Sequence, residues 1–179
     1  VSAGAPLKAI FFDVPSASQR WRLYAKHVAA AVGLILDTVP GLSLNNRVAI
    51  IVPNEVFASQ LEPHLVAELH LHHPNQPFEL INTKKSSSCL LPRNKSTWQL
   101  VLDAVDEFDG LEVLFVVAAG LAETGQELAL QRSRLYRAVS RAMMLMCLVN
   151  ERVQGGLLEW LEGCELNGDF DREAELERR

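Results

Sequence analysis

Six short apolar runs, each bounded by turn residues, constrain the fold of this chain more than any other feature. Several runs are apolar throughout rather than alternating, which is typical of strands covered on both faces in a largely parallel sheet. The predicted strands are Ala9–Val14, Val48–Val52, Phe78–Asn82, Gln99–Val105, Val113–Ala118 and Leu145–Val149.

Helical patterns lie between several of these runs. Ser18 is a candidate N-cap for the first helix, and Pro63 predicts a kink or a fresh start in the second. Alternation of this kind predicts a doubly wound α/β domain with helices on both faces of a mainly parallel sheet of about six strands. In that architecture we expect ligands at the carboxyl ends of the strands. The apolar stripes of the helices run through Trp21–Ile35, Phe57–Leu69 and Leu128–Met143.

Length and charge narrow the function classes. The 179 residues predict one domain, and no apolar run is long enough to span a membrane. The 17 Lys and Arg residues face 22 Asp and Glu residues, giving a net charge of −5. This is the wrong sign for a chain that binds phosphate backbones by bulk electrostatics. Any contact with nucleic acid must therefore be local.

The cysteines and the first residues of the sequence indicate the cellular compartment and the extent of the protein. Cys89, Cys147 and Cys164 are odd in number and have no paired spacing, so we expect free thiols in a reducing, intracellular compartment such as the cytoplasm or nucleus. The first residues, from Val1, have neither an initiating Met nor the layout of a secretory signal. We expect the chain to be part of a longer protein.

Residues 1–166 are predicted to form the single domain, and residues 167–179 a charged tail. The stretch Thr83–Thr97, which contains Lys84 and Lys85, is predicted to be a long polar loop. A cluster of His70, His72 and His73 sits at a predicted helix end, where cations that interact with the helix dipole are a better interpretation than metal ligands. No metal site is predicted.

Familiar nucleotide-binding motifs are missing. A P-loop needs a glycine-rich turn that ends in Gly-Lys-Ser/Thr, and the chain contains no Gly-Lys pair. A Rossmann Gly-x-Gly-x-x-Gly and a Gly-x-Ser-x-Gly nucleophile elbow are missing as well. By its own residues the chain cannot hold a nucleoside triphosphate in the P-loop manner.

Two segments match a family pattern in order and spacing. Residues 98–112, which end in Gly110-Leu111-Glu112, read as strand and loop before the next strand, and they resemble motif V of superfamily 1 helicases of the UvrD/Rep type. Residues 133–142, ending in Ser140-Arg141-Ala142, resemble motif VI of that family. The strand and turn at 47–54 is similar to motif IV. The resemblance implies the C-terminal domain of such an enzyme, a RecA-like three-layer sandwich.

The resemblance also implies roles for particular residues. Arg141 is the candidate arginine finger, which stabilises charge on the γ-phosphate of ATP, and Glu112 is a candidate acceptor for a ribose hydroxyl. Gly110 would let the backbone approach the nucleotide, and Ser140, which replaces a family threonine and keeps its hydroxyl, is the third candidate for nucleotide binding. Tyr136 is expected to pack in the core. ATP with Mg would be bound mainly by an N-terminal RecA-like P-loop domain, the implied partner.

Several positions depart from the family pattern. Ala104 and Asp106 replace a threonine and a histidine that, in the family, contact the phosphates of the nucleic-acid strand. Asp109 replaces a lysine. Motif IV has Pro53 and its neighbours where an arginine is usual. Acids repel phosphates, so we expect weak binding of single strands. The alternative is therefore a degenerate helicase-fold module for protein interaction or regulation, without ATP turnover. An unrelated small-molecule enzyme has no catalytic constellation to support it.

Overall fold

The computed structural model describes residues 7–84, 97–122 and 125–159. In this part of the chain one parallel sheet has the strand order β1-β6-β5-β2-β4-β3. The helices are α1 (Arg20–Thr38), α2 (Glu55–His72) and α3 (Leu128–Val139), with 3-10 helices at Ala17–Gln19 and Val105–Phe108. The strands are β1 (Leu7–Phe12), β2 (Val48–Val52), β3 (Phe78–Ile81), β4 (Trp98–Ala104), β5 (Val113–Ala119) and β6 (Ala142–Glu151).

Each of the six predicted strands is confirmed, with shifts of a few residues at the ends. The parallel sheet with helices on both faces is the predicted three-layer α/β architecture. Strand β2 is buried along its whole length because β4 and β5 flank it and helices cover both faces. None of the helices in the described residues is long and apolar enough to cross a membrane.

The two faces of the sheet carry separate cores. Strand side chains alternate between them, so that Ile50 packs beneath α1 and α2 while its neighbour Ile51 faces the side of α3. Below α1 and α2 the core includes Tyr24 and Phe57, whose rings meet edge to face at 5.0 Å. On the α3 side, Phe108 of the second 3-10 helix is buried together with parts of β2, β4, β5 and β6.

The N-cap of α1 is not the predicted residue, whereas α2 begins after a residue whose side chain caps the helix. Ser18 lies inside the first 3-10 helix and is not the N-cap of α1; that position belongs to Gln19, whose side chain makes no capping hydrogen bond. At α2 the Asn54 side chain accepts a hydrogen bond from the Phe57 amide at 2.9 Å. Helix α2 then continues through Pro63 without a fresh start.

Helix α3 is shorter than its apolar stripe predicted. It ends at Val139, and Met143 lies in β6 with its side chain 59% exposed. The cause is strand pairing, since the Val113 amide donates to the Arg141 carbonyl at 3.0 Å and Ala142 lies opposite Val113. The helical spacing of Met143 in the sequence is therefore misleading.

Some sequence predictions fall outside the described residues. These are the charged tail 167–179, the domain boundary at 166, most of the loop 83–97, and the thiols of Cys89 and Cys164. Cys147 is described and is a buried free thiol in β6. Burial raises its pKa to about 11, so the thiol stays protonated near neutral pH.

Candidate functional site at the amino edge of the sheet

The predicted site residues lie together at the amino edge of the sheet, where the parallel strands begin. Gly110 and Glu112 precede β5, and Ser140 and Arg141 precede β6. Strands β5 and β6 are neighbours, and the hydrogen bond from the Val113 amide to the Arg141 carbonyl joins the two segments directly. Residues separated by about thirty positions in sequence thus share one surface.

This location differs from the edge at which the sequence predicts ligands. The sequence predicted chemistry at the carboxyl ends of the strands, yet the four candidate residues lie at the opposite edge. The reason is that residues 110–112 and 140–141 come immediately before β5 and β6 rather than after a strand. The carboxyl-edge rule describes binding within one doubly wound domain and makes no statement about the opposite edge.

Gly110 has a conformational role that the structure makes clear. Its φ is +78°, in the left-handed region that glycine enters without cost, and it turns the chain from the second 3-10 helix into β5. A Cβ at this position would meet no heavy atom within 4 Å. The turn therefore leaves open space beside its backbone. Glu112, two residues later, is exposed, and no ion pair or hydrogen bond engages its carboxylate within the described residues.

Ser140 closes the end of α3. Its hydroxyl donates to the Arg137 carbonyl at 2.9 Å, and its amide donates to the Tyr136 carbonyl at 3.0 Å. The next amide, that of Arg141, donates to the Ala138 carbonyl at 3.2 Å. These bonds satisfy carbonyls that a helix end leaves open and fix the direction in which the chain enters β6. The Ser140 side chain is exposed, so its oxygen also faces solvent.

An Arg–Asp cluster, formed by Arg137, Arg141, Asp106 and Asp109, ties α3 to the loop between β4 and β5. Arg137 donates from Nε to Oδ1 of Asp109 at 3.2 Å and from Nη2 to Oδ2 of Asp109 at 2.7 Å. Its remaining nitrogen, Nη1, donates to Asp106. Arg141 approaches the same Asp109 carboxylate, with Nη2 3.5 Å from Oδ1. One carboxylate therefore lies between two guanidinium groups.

The charges in this cluster reinforce one another. Hydrogen bonds from Arg137 lower the pKa of Asp109, and the charges of Arg137 and Arg141 act in the same direction, so Asp109 stays ionised. Hydrogen bonds to Asp109 and Asp106 raise the pKa of Arg137. The Asp109 side chain remains 63% exposed, whereas Arg141 is 20% exposed. The Arg141 side chain is thus mostly covered, while its acid partner faces solvent.

Arg141 also carries an unused donor. Its Nε is buried and has no hydrogen-bond partner in the part of the chain that the structure describes. A buried guanidinium nitrogen without an acceptor is unfavourable, because the group has lost water and gained nothing in return. The predicted finger residue therefore has one weak ionic contact and unfilled capacity for an anion.

Sequence reasoning missed Arg137 and misjudged Tyr136. Asp106 and Asp109 were interpreted as lost phosphate contacts, and their pairing with Arg137 depends on a crossing of the chain that spacing alone does not reveal. Tyr136 was expected in the core, but it is 75% exposed because it lies on the outer side of α3. There it lines, with Val139 and neighbours, an apolar groove of about 500 Å³.

The carboxyl edge of the sheet contains groups that hold the fold together. Arg20 at the start of α1 donates from Nη2 to Oε1 of Glu151 at 2.6 Å. Asp103 is buried at the end of β4 and accepts hydrogen bonds from the amide and hydroxyl of Thr83, at 3.0 and 2.8 Å. No group of three or more metal-ligand side chains occurs in residues 7–84, 97–122 and 125–159. These acids thus have structural partners.

Comparison with known proteins supports the architecture. No protein-family model and no curated protein matches the chain. Among solved structures it is similar to the C-terminal domain of a possible DNA helicase from Lactobacillus plantarum WCFS1, with a TM-score of 0.55 and 20% identity over 83% of this chain and 75% of that chain. The fold is RecA-like. At this identity the likeness establishes the fold and nothing about activity.

A second structure shares less with the chain. The E. coli DExH-box NTPase HrpB has a TM-score of 0.47 and 14% identity, over 83% of this chain and 20% of that chain. Since the score is low, it adds nothing to the fold assignment.

Proposed function

We propose that this chain is the second motor domain of a superfamily 1 helicase-like ATPase, and that it supplies Arg141 to a P-loop domain that is not part of the chain. One observation carries the proposal: the pairing of Val113 with Arg141 brings the Gly-Leu-Glu turn and the candidate finger to a single edge of a RecA-like sheet. A surface that presents the Arg141 guanidinium and the exposed Glu112 carboxylate at one edge suits a nucleotide bound across a cleft.

Phosphoryl transfer from ATP requires positive charge near the γ-phosphate, which Arg141 would supply. Charge spreads over the γ-phosphoryl oxygens in the transition state, and a guanidinium delivered from a second domain accelerates the reaction by about three to five powers of ten. Arg141 would supply that charge, and Glu112 would accept a hydrogen bond from a ribose hydroxyl. Gly110 offers backbone without a side chain in the way, and Ser140 positions Arg141 by closing α3.

The residues present fit a nucleotide held mainly elsewhere. Arg141 has an unpartnered buried Nε, and Glu112 is exposed, so each has capacity for a ligand group within the described residues. ATP with Mg supplies the reacting phosphates, and a Gly-Lys loop on the N-terminal domain would bind both. We propose no metal ligand from this chain.

The alternative function is a helicase-fold module that serves protein interaction or regulation without ATP turnover. The Arg–Asp cluster favours it, because Asp106 and Asp109 already neutralise two arginines at the proposed site. The same acids make binding of single strands weak, since they oppose phosphates at the positions where the family has donors. We expect the isolated 179-residue chain to hydrolyse no ATP under either function.

A matched pair of arginine variants tests the proposal. In the longer protein that contains a P-loop domain, Arg141→Ala should lower kcat for ATP hydrolysis by about a thousandfold. Arg134→Ala in α3 removes an equal charge from a residue that binds Gln126 at 2.6 Å, and it should leave kcat within about twofold. An unchanged rate for Arg141→Ala would remove the finger from the mechanism and favour the module.

A further inference from the structure

Arg137 and Arg141 converge on one anion. Arg137 lies in the last turn of α3 and Arg141 two residues past the end of that helix, and both guanidinium groups reach the Asp109 carboxylate. The Asp109 carboxylate receives two hydrogen bonds from Arg137, at 3.2 and 2.7 Å, and lies 3.5 Å from the Nη2 of Arg141. A pair of guanidinium groups around one planar anion is the geometry with which proteins also bind phosphate.

The anion in this position can leave. Asp109 is 63% exposed and ends the 3-10 helix with an extended backbone, and the next residue, Gly110, has the freedom of glycine and open space beside it. The contact with Arg141 is longer than a hydrogen bond, and Nε of Arg141 still has no acceptor among the described residues. Asp109 therefore fills the position between the arginines incompletely.

We infer that Arg137 and Arg141 together form a binding site for polyphosphate anions, and that Asp109 occupies this site until such an anion displaces it. The inference rests on the proposed role of Arg141 and adds a second phosphate ligand, Arg137, and an internal competitor. A triphosphate carries more oxygen acceptors and more charge than one carboxylate, so it can engage both guanidinium groups and the unfilled Nε.

The competitor sets the apparent affinity. If Asp109 leaves the arginines free in about one molecule in ten, the apparent dissociation constant is about tenfold higher than that of the open site. Asp109→Asn keeps the shape of the side chain and removes the charge that holds it between the arginines. We therefore expect this variant of the 179-residue chain to bind inorganic triphosphate about tenfold more tightly than the natural sequence does, as measured by calorimetry at about 0.1 M salt.

Glu107→Gln is the matched control. Glu107 lies in the same loop, and its carboxylate pairs with Lys84 at 3.9 Å. The substitution removes the same charge, so it reports the effect of net charge alone, which should change the affinity less than twofold. If Asp109→Asn and Glu107→Gln raise the affinity for triphosphate equally, Asp109 is not an internal competitor.

Two double variants assign the ligands. Arg137→Gln and Arg141→Gln, each combined with Asp109→Asn, should both abolish the tenfold gain. A gain that survives Arg137→Gln would show that Arg137 is not a phosphate ligand. Should a variant fail to fold, as judged by circular dichroism, the natural chain still answers the question: added triphosphate should shift the side-chain Nε–H resonances of both arginines, and unshifted resonances would overturn the inference.

The result is separable from the proposed function. If Arg141→Ala lowers ATP hydrolysis in the longer protein while Asp109→Asn leaves triphosphate binding unchanged, the motor role stands and the competitor fails. If Asp109→Asn tightens binding while Arg141→Ala leaves hydrolysis intact, the anion site stands and the finger fails.

Discussion

The two faces of the sheet differ in how much apolar surface their helices bury. Helices α1 and α2 are long and bury aromatic and branched side chains, with Tyr24, Phe57 and Leu65 fully or almost fully covered. Helix α3 is shorter; the residues that it buries are Gln131 and Ala138, while Leu128 and others are exposed. The first face therefore supplies most of the apolar burial that stabilises the domain.

The second face keeps charged and apolar groups available instead. The Arg–Asp cluster and the groove beside Tyr136 both lie around α3, and neither belongs to the core. Groups that bind a partner or ligand must remain exposed, and exposure contributes little to folding. We therefore expect substitutions below α1 and α2 to affect stability strongly, and substitutions around α3 to affect stability weakly and binding strongly.

The largest effect should come from Gly120→Ala at the end of β5. Gly120 has a φ of +69°, and a Cβ there would lie 2.4 Å from the ring carbons of Phe57 in α2. Left-handed strain and overpacking together should cost about 4 kcal/mol of unfolding free energy in urea denaturation. Gly41→Ala, with a φ of +83° and no atom within 4 Å, carries the strain alone and should cost about 1 kcal/mol. Equal losses would disprove the steric account.

Two leucines compare the faces directly. Leu65→Ala empties a fully buried position in α2 and should lower the free energy of unfolding by about 3 kcal/mol. Leu128→Ala removes the same atoms from a side chain that is 46% exposed at the start of α3, and the loss should be below about 1 kcal/mol. Chemical denaturation of both variants measures the difference. A loss at Leu128 that matches Leu65 would contradict the division between the faces.

A smaller and salt-dependent effect is expected at Arg137. Arg137→Gln breaks the contacts with Asp106 and Asp109, whose side chains are mostly exposed, so the loss should be smaller than for Leu65→Ala. It should shrink as salt rises from about 0.1 to about 1 M, since the screening length falls from about 10 to about 3 Å. Arg132→Gln, an exposed arginine on the same helix, provides the control for thermal unfolding at both salt levels. A salt-independent loss would point to packing instead.

The smallest effect concerns pH. Burial, followed by the charge of Lys26, lowers the pKa of His27, which stacks on Phe12 at 4.5 Å. Folding therefore favours the neutral ring: its contribution is complete above the unfolded pKa of about 6.5 and declines as the pH falls below that value. His27→Phe keeps a stacked ring and should flatten the loss of stability between about pH 7.5 and 5.5. His73, whose pKa is also lowered, keeps some slope in the variant.

The strands were predictable because fully buried strands are apolar along their length, and β2 shows this most clearly. Helix ends were harder, since Met143 continues a helical stripe by spacing but pairs as a strand. The prediction that Tyr136 is buried was wrong for a related reason, because an aromatic residue at helical spacing does not reveal which side of the helix faces solvent. Local patterns therefore predict elements better than they predict the sides that the elements present.

The candidate site was predictable as a set of residues and not as a geometry. Motif resemblance singled out Glu112 and Arg141, and the sheet order then places them on adjacent segments. The contacts of Arg137 with Asp106 and Asp109 depend on how the loop between β4 and β5 crosses the end of α3. No spacing rule encodes that crossing, because the partners lie about thirty residues apart in separate elements. The roles of Glu112 and Arg141 stay predictions.

Strand β1 sits at the edge of the sheet and pairs with β6, so that Leu7 lies opposite Met146. The ribosome synthesises β1 before β6. Strand β1 therefore cannot pair with β6 until almost all the described residues have been made. The contact joins distant parts of the nascent chain, which slows folding and leaves an apolar strand without a partner in the meantime. A chaperone that shields extended apolar segments has its longest opportunity there.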